Sequence, residues 1–359
     1  MRVVTVVGNR PQFVKAAAVS RLLRERHDEL LVHTGQHYDD EMSKVFFDEL
    51  PVPQPERQLG IGSGPAAEQT GRMLAALGPV IREAAPDLVL VYGDTNSTLA
   101  GAIAGAQALV PVAHVEAGMR SFDRAMPEER NRVLTDHASD LLLCSTQTAV
   151  DNLANEGIVR GVELVGDAMA DIALATARAA RERTDVPTGL GVEPGGYLLV
   201  TAHRPGNVDT PERLGLLVDL LLALPRPVVF PVHPRTRARL EASGMLARLE
   251  DAEGMHLTPP VGYLELLALA IHARAVLTDS GGLQKEAYLV EVPCVTLRDT
   301  TEWVETIQLG WNVLVDLDAG AALAALERPR PAEHPDLYGG GHAGERIRDA
   351  IEAFAAGRA

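Results

Sequence analysis

Acidic side chains recur in this 359-residue chain at the points where apolar runs stop. Asp94 follows Leu88-Val-Leu-Val-Tyr92, and Glu116 closes the run that begins at Val112. A carboxylate at the end of a buried strand is costly unless it is paired. Glu128 and Glu129 open the segment Pro127-Glu-Glu-Arg-Asn-Arg132, with Arg132 one turn further on. Plain structural roles are also available to these acids. Asp94 can cap a helix starting near Asn96, and first-turn acids suit a helix dipole. If two or three of these carboxylates converge, their repulsion raises at least one pKa and leaves an acid poised to shuttle a proton.

A second group of residues suits anions. Leu277-Thr-Asp-Ser-Gly-Gly-Leu-Gln-Lys-Glu-Ala287 reads as a strand end, a turn and a helix start. The first N–H groups of such a helix lack internal partners, and Gly281 and Gly282 beside Ser280 allow a phosphate close approach. Glu286, one turn in, can accept hydrogen bonds from a ribose, although the whole stretch also fits an ordinary βα turn. Gly8-Asn-Arg-Pro-Gln-Phe-Val-Lys15 repeats the pattern, with Pro11 suited to the first helical position. Arg10 and Lys15 there serve either a diphosphate or the surface. His203 with Arg204, His233, Arg298, and Gln36 with His37 all stand at further strand ends, where open α/β sheets bind ligands. A histidine at the Gln36-His37 position also has ordinary structural uses.

These residues need a scaffold that ends many strands on one edge. Apolar runs predict strands at 2–7, 30–34, 87–92, 111–115, 140–144, 162–165, 197–201, 227–232, 255–258, 274–278, 292–297 and 312–315. Helical-period segments separate them, such as 14–25, 98–108, 211–224 and 263–272. Continuous Val/Leu runs alternating with helices imply parallel strands covered on both faces, the α/β doubly wound class. A long helix over 167–183 and a Pro/Gly-rich stretch at 184–196, read as a linker, separate two halves. We therefore expect two Rossmann-like domains, 1–170 and 171–343, with a ligand cleft between them; helix 344–357 can pack on either.

Composition narrows the function. Hydrophobic residues make up 46% of the chain and aromatics 4%, which suits a soluble enzyme better than a stacking nucleic-acid binder. The formal net charge of −16 argues against broad contact with nucleic acid or an anionic membrane. An anionic ligand must be held by local cations and helix ends. Cys144 and Cys294 lie in apolar runs and read as buried thiols. No P-loop, zinc spacing, nucleophile elbow or G-x-G-x-x-G is present, so neither a metal nor a cofactor is expected. No leader is visible, and the cytoplasm is the expected compartment.

Taken together, Gly8-Asn-Arg-Pro-Gln, Gly93-Asp-Thr-Asn-Ser, His114-Val-Glu-Ala-Gly-Met-Arg, Pro127-Glu-Glu-Arg-Asn-Arg, His203-Arg, Pro231-Val-His-Pro and Ser280-Gly-Gly-Leu-Gln-Lys-Glu-Ala are collinear over nearly the whole chain. Their set resembles the non-hydrolysing UDP-N-acetylglucosamine 2-epimerases. The resemblance implies a glycosyltransferase-B-like pair of domains, a last helix returning to the first domain, and domain closure over a UDP-sugar. It implies interconversion of UDP-GlcNAc and UDP-ManNAc by elimination of UDP to a glycal and its re-addition. It implies a homodimer serving cell-envelope polysaccharide synthesis. By position, Asp94, Glu116, Glu128 and His203 look like the catalytic groups. Arg10, Lys15, Arg132, Arg204, His233, Ser280, Gly281, Gly282, Glu286 and Arg298 look like substrate contacts. Gln36, His37, Gln69 and Arg72 fall near an activating-nucleotide site of some relatives.

The chain departs from the family pattern at His203-Arg-Pro-Gly-Asn207, which lacks a glutamate. It departs at Tyr263-Leu-Glu-Leu266 too, and at Thr301-Glu-Trp-Val-Glu305, where Trp303 replaces a ligand-contacting arginine. Its pattern matches a branch that also acts on UDP-2,3-diacetamido-2,3-dideoxyglucuronate. A glycosyltransferase of the same architecture, a hydrolysing epimerase and a non-catalytic sensor are the competing readings. The carboxylates Glu116 and Glu128 argue against the transferase, because transfer needs no proton shuttle.

Overall fold

The computed structural model describes residues 1–36 and 54–358 and divides into two units, Met1–Ile172 with Asp336–Ala359, and Ala173–Pro335. The first unit holds strands β1 (Arg2–Val7), β2 (Asp28–His33), β3 (Arg57–Gln58), β4 (Leu88–Tyr92), β5 (Val112–Ala117), β6 (Leu141–Cys144) and β7 (Val162–Leu164). They form one parallel sheet in the order β3-β2-β1-β4-β5-β6-β7. Strand order reverses between β1 and β4, so the turns leaving those strands open the crevice where such sheets bind ligands.

Alternation along each strand explains the continuous apolar runs. Val3 and Val7 pack on one face with Leu31, Leu90, Ile347 and Ile351, while Val4 and Val6 pack on the other with Leu77, Ile81 and Ala100. Helix Asn96–Gln107 lies close against the sheet because Gly101 carries no side chain. A Cβ there would stand 2.8 Å from Val91 Cγ1.

The second unit repeats the plan with β8 (Leu198–Thr201), β9 (Val228–Pro231), β10 (Met255–Thr258), β11 (Ala275–Thr278), β12 (Cys294–Thr296) and β13 (Asn312–Leu314). Their parallel order is β10-β9-β8-β11-β12-β13, and the switch point lies between β8 and β11. Both units are thus parallel-sheet α/β domains, the class expected.

Three details differ from the sequence reading. The two-residue β3 is missed, because both of its residues are exposed and carry no apolar signal. The stretch 184–196 is no open linker: it holds helix Asp185–Gly189, and Val192 is buried with Val186 and Leu190 against the second core. The chain rejoins the first unit at Asp336, ahead of 344. Tyr338 is fully buried there, and its carbonyl accepts from Asp167 N at 2.9 Å. Helix Ala343–Ala356 follows, with its first N–H groups held by Asp171. No helix among the described residues is long and apolar enough to cross a membrane.

Candidate active site

In the first unit the turns after β1, β4 and β5 carry the expected polar groups. Asn9 caps helix Arg10–Arg24 in a reciprocal box with Gln12. The amide of Gln12 then reaches Tyr92 O at 2.6 Å and Thr98 Oγ1 at 2.8 Å, tying the end of β1 to the end of β4. Arg10 is the first residue of this helix; its side chain lies outside what is described. Lys15, one turn in, pairs its ammonium with Glu116 Oε2, both side chains being 13% exposed. Burial alone would lower the Lys15 pKa; Glu116, with help from Asp94 and Asp167, outweighs it and raises it.

Glu116 sits where β5 breaks register against β6, between Val115 and Ala117. Its φ is 72°, a left-handed conformation costing a non-glycine residue about 1–3 kcal/mol. Such strain persists only where the surroundings impose it, and it clusters at working sites. Across from it, Gly93 also has a positive φ, 64°, and a Cβ there would lie 3.3 Å from Glu116 Oε2.

Asp94 does not cap the next helix. Thr95 does, through its side chain and Thr98, which leaves Asp94 to pair with Arg132 Nη2 at 2.5 Å. Each of these two acids holds its own cation, so the expected mutual repulsion is replaced by two ion pairs. Glu128 and Glu129 part company. Glu128 is exposed in the first turn of helix Pro127–Ala138. Glu129 is buried and accepts from Ser121 N, Ser121 Oγ and Phe122 N, with Arg132 at 3.2 Å.

The sequence reading missed a deeper layer. Asp136, on the same helix, accepts from His114 Nδ1 at 2.7 Å, Gly118 N at 3.1 Å and Arg120 Nη1 at 2.7 Å. Glu129, Arg132 and Asp136 fall at helical spacing on one buried face, a signal that the residues themselves carried. Asn131 was missed as well: its amide donates to Asp94 O and to Asn96 Oδ1, both at 3.0 Å.

Of the activator set, Gln36 is buried and takes Ser97 Oγ at 2.7 Å; Gln69 is buried, donates to Gly62 O and accepts from Asn96. Arg72 reaches the carbonyls of Gly62 and Ser63 at 3.4 Å. His37 lies outside the described residues.

In the second unit the organiser is Asp279, fully buried at the end of β11 and not picked out beforehand. It accepts from His203 N, Arg204 N at 2.9 Å and Asn207 Nδ2 at 3.1 Å, which fixes the turn after β8 beside the turn after β11. His203 stacks on His233, ring centroids 5.3 Å apart. His233 also accepts from Arg235 N through Nδ1; burial, then His203, lowers its pKa.

Ser280 caps helix Gly281–Leu289. Glu286 is buried inside it and accepts from Tyr263 OH at 2.9 Å. Arg298 is committed to Glu302, at 3.0 and 3.2 Å, and although burial favours the neutral acid the guanidinium holds Glu302 below the usual carboxylate range. Trp303 supports the turn directly: its indole donates to Gly281 O at 2.8 Å, and Lys285 Nζ lies 4.5 Å over its ring.

The chemistry divides accordingly. The first unit offers carboxylates held by cations, suited to moving a proton. The second offers a capped helix N-terminus flanked by His203 and Arg204, suited to a phosphate.

A family model described as UDP-N-acetylglucosamine 2-epimerase matches residues 21–352. A UDP-N-acetylglucosamine 2-epimerase homolog of Methanococcus maripaludis is 47% identical over 97% of this chain and 98% of its own. The UDP-2,3-diacetamido-2,3-dideoxy-D-glucuronate 2-epimerase of Pseudomonas aeruginosa is 46% identical over 97% of this chain and 99% of its own. The crystal structure of the Methanocaldococcus jannaschii UDP-GlcNAc 2-epimerase, in complex with UDP-GlcNAc and UDP, is 40% identical and superposes with a TM-score of 0.88, covering 98% of this chain and all of that one.

Proposed function

Because the chain belongs to the UDP-N-acetylglucosamine 2-epimerase family, whose members are isomerases, we propose that it interconverts UDP-GlcNAc and UDP-ManNAc without hydrolysis. The C2 hydrogen of such a sugar is not next to a carbonyl, so simple deprotonation is too hard. Loss of UDP relieves this. A base takes the C2 proton, the C1–O bond breaks, and UDP leaves with the bonding pair to give a glycal. UDP then adds back at C1 while C2 is protonated on the opposite face.

The observation that carries this reading is Glu116, a carboxylate on a strained left-handed bulge, matched to Lys15 and neighbouring Asp94 across Gly93. Asp94, Glu116, Glu128 and His203 serve as the catalytic groups, a positioned acid–base group contributing about 10²–10⁴-fold. Ser280, Gly281, Gly282 and Arg204 receive the departing diphosphate, Glu286 the ribose, and Arg10, Lys15, Arg132 and His233 the remaining substrate contacts. Arg298 acts from behind, through Glu302. The protein works as a cytoplasmic homodimer in supply of cell-envelope polysaccharide.

A second reading keeps the reaction and changes the sugar to the diacetamido-uronic acid, as the 46% identical Pseudomonas enzyme's name supports. One experiment separates these readings: each UDP-sugar in D₂O with the purified protein, followed by proton NMR. Deuterium at C2 with the C2 epimer appearing is expected on the true substrate. Free sugar and UDP accumulating, or turnover only with an acceptor, would remove the proposal. Glu116→Gln or Glu128→Gln should stop exchange while UDP still binds.

A further inference from the structure

We propose that Asp136 is a positioning residue that sets both candidate acids of the first unit, Asp94 and Glu116, from beneath. Its two oxygens serve the two strand ends separately. Oδ1 faces His114 Nδ1 at 2.7 Å, and His114 Nε2 donates to Gly93 O at 2.7 Å, the carbonyl of the residue before Asp94. Oδ2 accepts from Gly118 N at 3.1 Å, two residues past Glu116. His114 itself stands two residues before Glu116, so the carboxylate grips the bulge on both sides. Arg120 completes the shell at 2.7 Å and is itself held by Glu156 at 2.7 and 2.8 Å.

The physics favours a rigid clamp. Asp136 and His114 are fully buried, so an unmade bond there costs the whole desolvation of its group. Burial pushes the Asp136 pKa up, but His114 and Arg120 together pull it below the usual range, which keeps it ionised and accepting only. Both ring nitrogens of His114 face oxygen atoms, which holds the ring in one orientation. The positive φ of Glu116 needs such an external restraint to persist. Neither Asp136 nor His114 touches the reacting atoms; they fix where the two acids stand.

The kinetic test rests on the epimerase reading, and the structural arm does not. In Asp136→Asn one oxygen becomes an NH₂ donor and the charge facing His114 and Arg120 is lost, so the three contacts cannot all keep their present form. A displacement near 1 Å at the acids should cut kcat about 100-fold, with KM for the UDP-sugar changed less than about threefold, since Asp136 holds none of the diphosphate and ribose contacts proposed for the second unit. Glu156→Gln, which weakens the outer partner that Arg120 shares with His137, should lower the melting temperature and keep kcat. In a crystal structure of Asp136→Asn, Glu116 should leave its φ near 72°. A folded Asp136→Asn enzyme with wild-type kcat, or with Glu116 still left-handed, overturns the proposal. If that variant does not fold, His114→Gln decides: kcat should fall at least tenfold, and an unchanged kcat overturns it. If the wild-type protein turns over no UDP-sugar, the functional reading fails, and the φ of Glu116 in the variant alone judges the clamp.

Discussion

Gly93→Ala tests whether the geometry around Glu116 is catalytic or merely architectural. Two costs follow from the structure and can be separated. The first is backbone: φ at Gly93 is 64°, and an L-residue in that conformation loses about 1–2 kcal/mol. For a unit of roughly 200 residues, 1 kcal/mol moves the midpoint about 2–4 °C, so Tm should fall about 2–8 °C. The second is contact: the new methyl would stand 3.3 Å from Glu116 Oε2 and 3.4 Å from Lys15 Nζ. Those atoms must yield by a few tenths of an ångström. A full ångström at a reacting group costs about 100-fold, so a third of that should lower kcat about 3- to 10-fold.

Gly157→Ala is the matched control. Its φ is 81° and a Cβ there meets nothing within 4 Å, so it carries the backbone cost without the contact. Thermal unfolding of both variants and their C2 exchange rates in D₂O complete the assay. Equal loss of Tm with loss of kcat in Gly93→Ala alone is the expected result. Wild-type kcat in Gly93→Ala, or an equal kcat loss in Gly157→Ala, would refute the claim that this glycine clears space for a working carboxylate.

Asp279→Asn should cost about 1–3 kcal/mol, because a buried acceptor of three donors is halved. UDP affinity by calorimetry should fall about tenfold or more with it, and unchanged affinity would separate the loop at 203–207 from the phosphate turn. The raised Lys15 pKa fixes a pH dependence. Stability from its pair with Glu116 is fully present below the unfolded lysine value of 10.5 and is lost as pH climbs through the higher folded one. In Glu116→Gln the main raising cause is gone while burial remains, so the stability lost as pH climbs above 10.5 should shrink. Urea unfolding between pH 8 and 11 reads the slope. Burial pushes the thiols of Cys144 and Cys294 up to about 12, so a thiol reagent at pH 8 should react with neither until the chain is unfolded; rapid reaction of the native protein would contradict the buried assignment.

What could be read from the chain alone follows from what repeats along it. Most strands announce themselves, because both faces of a parallel sheet are buried and the central strands β4 and β6 are apolar throughout, whereas the edge strand β7 carries Glu163 and is largely exposed. The polar residues at strand ends announce themselves too, since a carboxylate or histidine interrupts that run. The tertiary choices were invisible. Nothing local says that Thr95 rather than Asp94 caps its helix, or that Glu129 and not its neighbour Glu128 turns inward. Those outcomes depend on partners 8 to 38 residues away: Ser121 for Glu129, Arg132 for Asp94.

The most consequential omissions are two buried carboxylates, with different causes. Asp279 is held mainly by the backbone N–H groups of His203 and Arg204, and a backbone donor leaves no mark in a sequence. Asp136 has one backbone donor, Gly118, and two side-chain partners, His114 and Arg120, so its helical spacing with Glu129 and Arg132 was the legible trace of it. Yet burial makes such a residue the stiffest element of its site, because every donor it abandons stays dry. The exposed groups can be exchanged at the cost of a contact with ligand. The buried pair, by contrast, determines whether Asp94, Glu116, His203 and Arg204 have fixed positions at all. Substitutions at these two aspartates should therefore depress turnover or ligand affinity by more than their distance from any substrate atom would suggest.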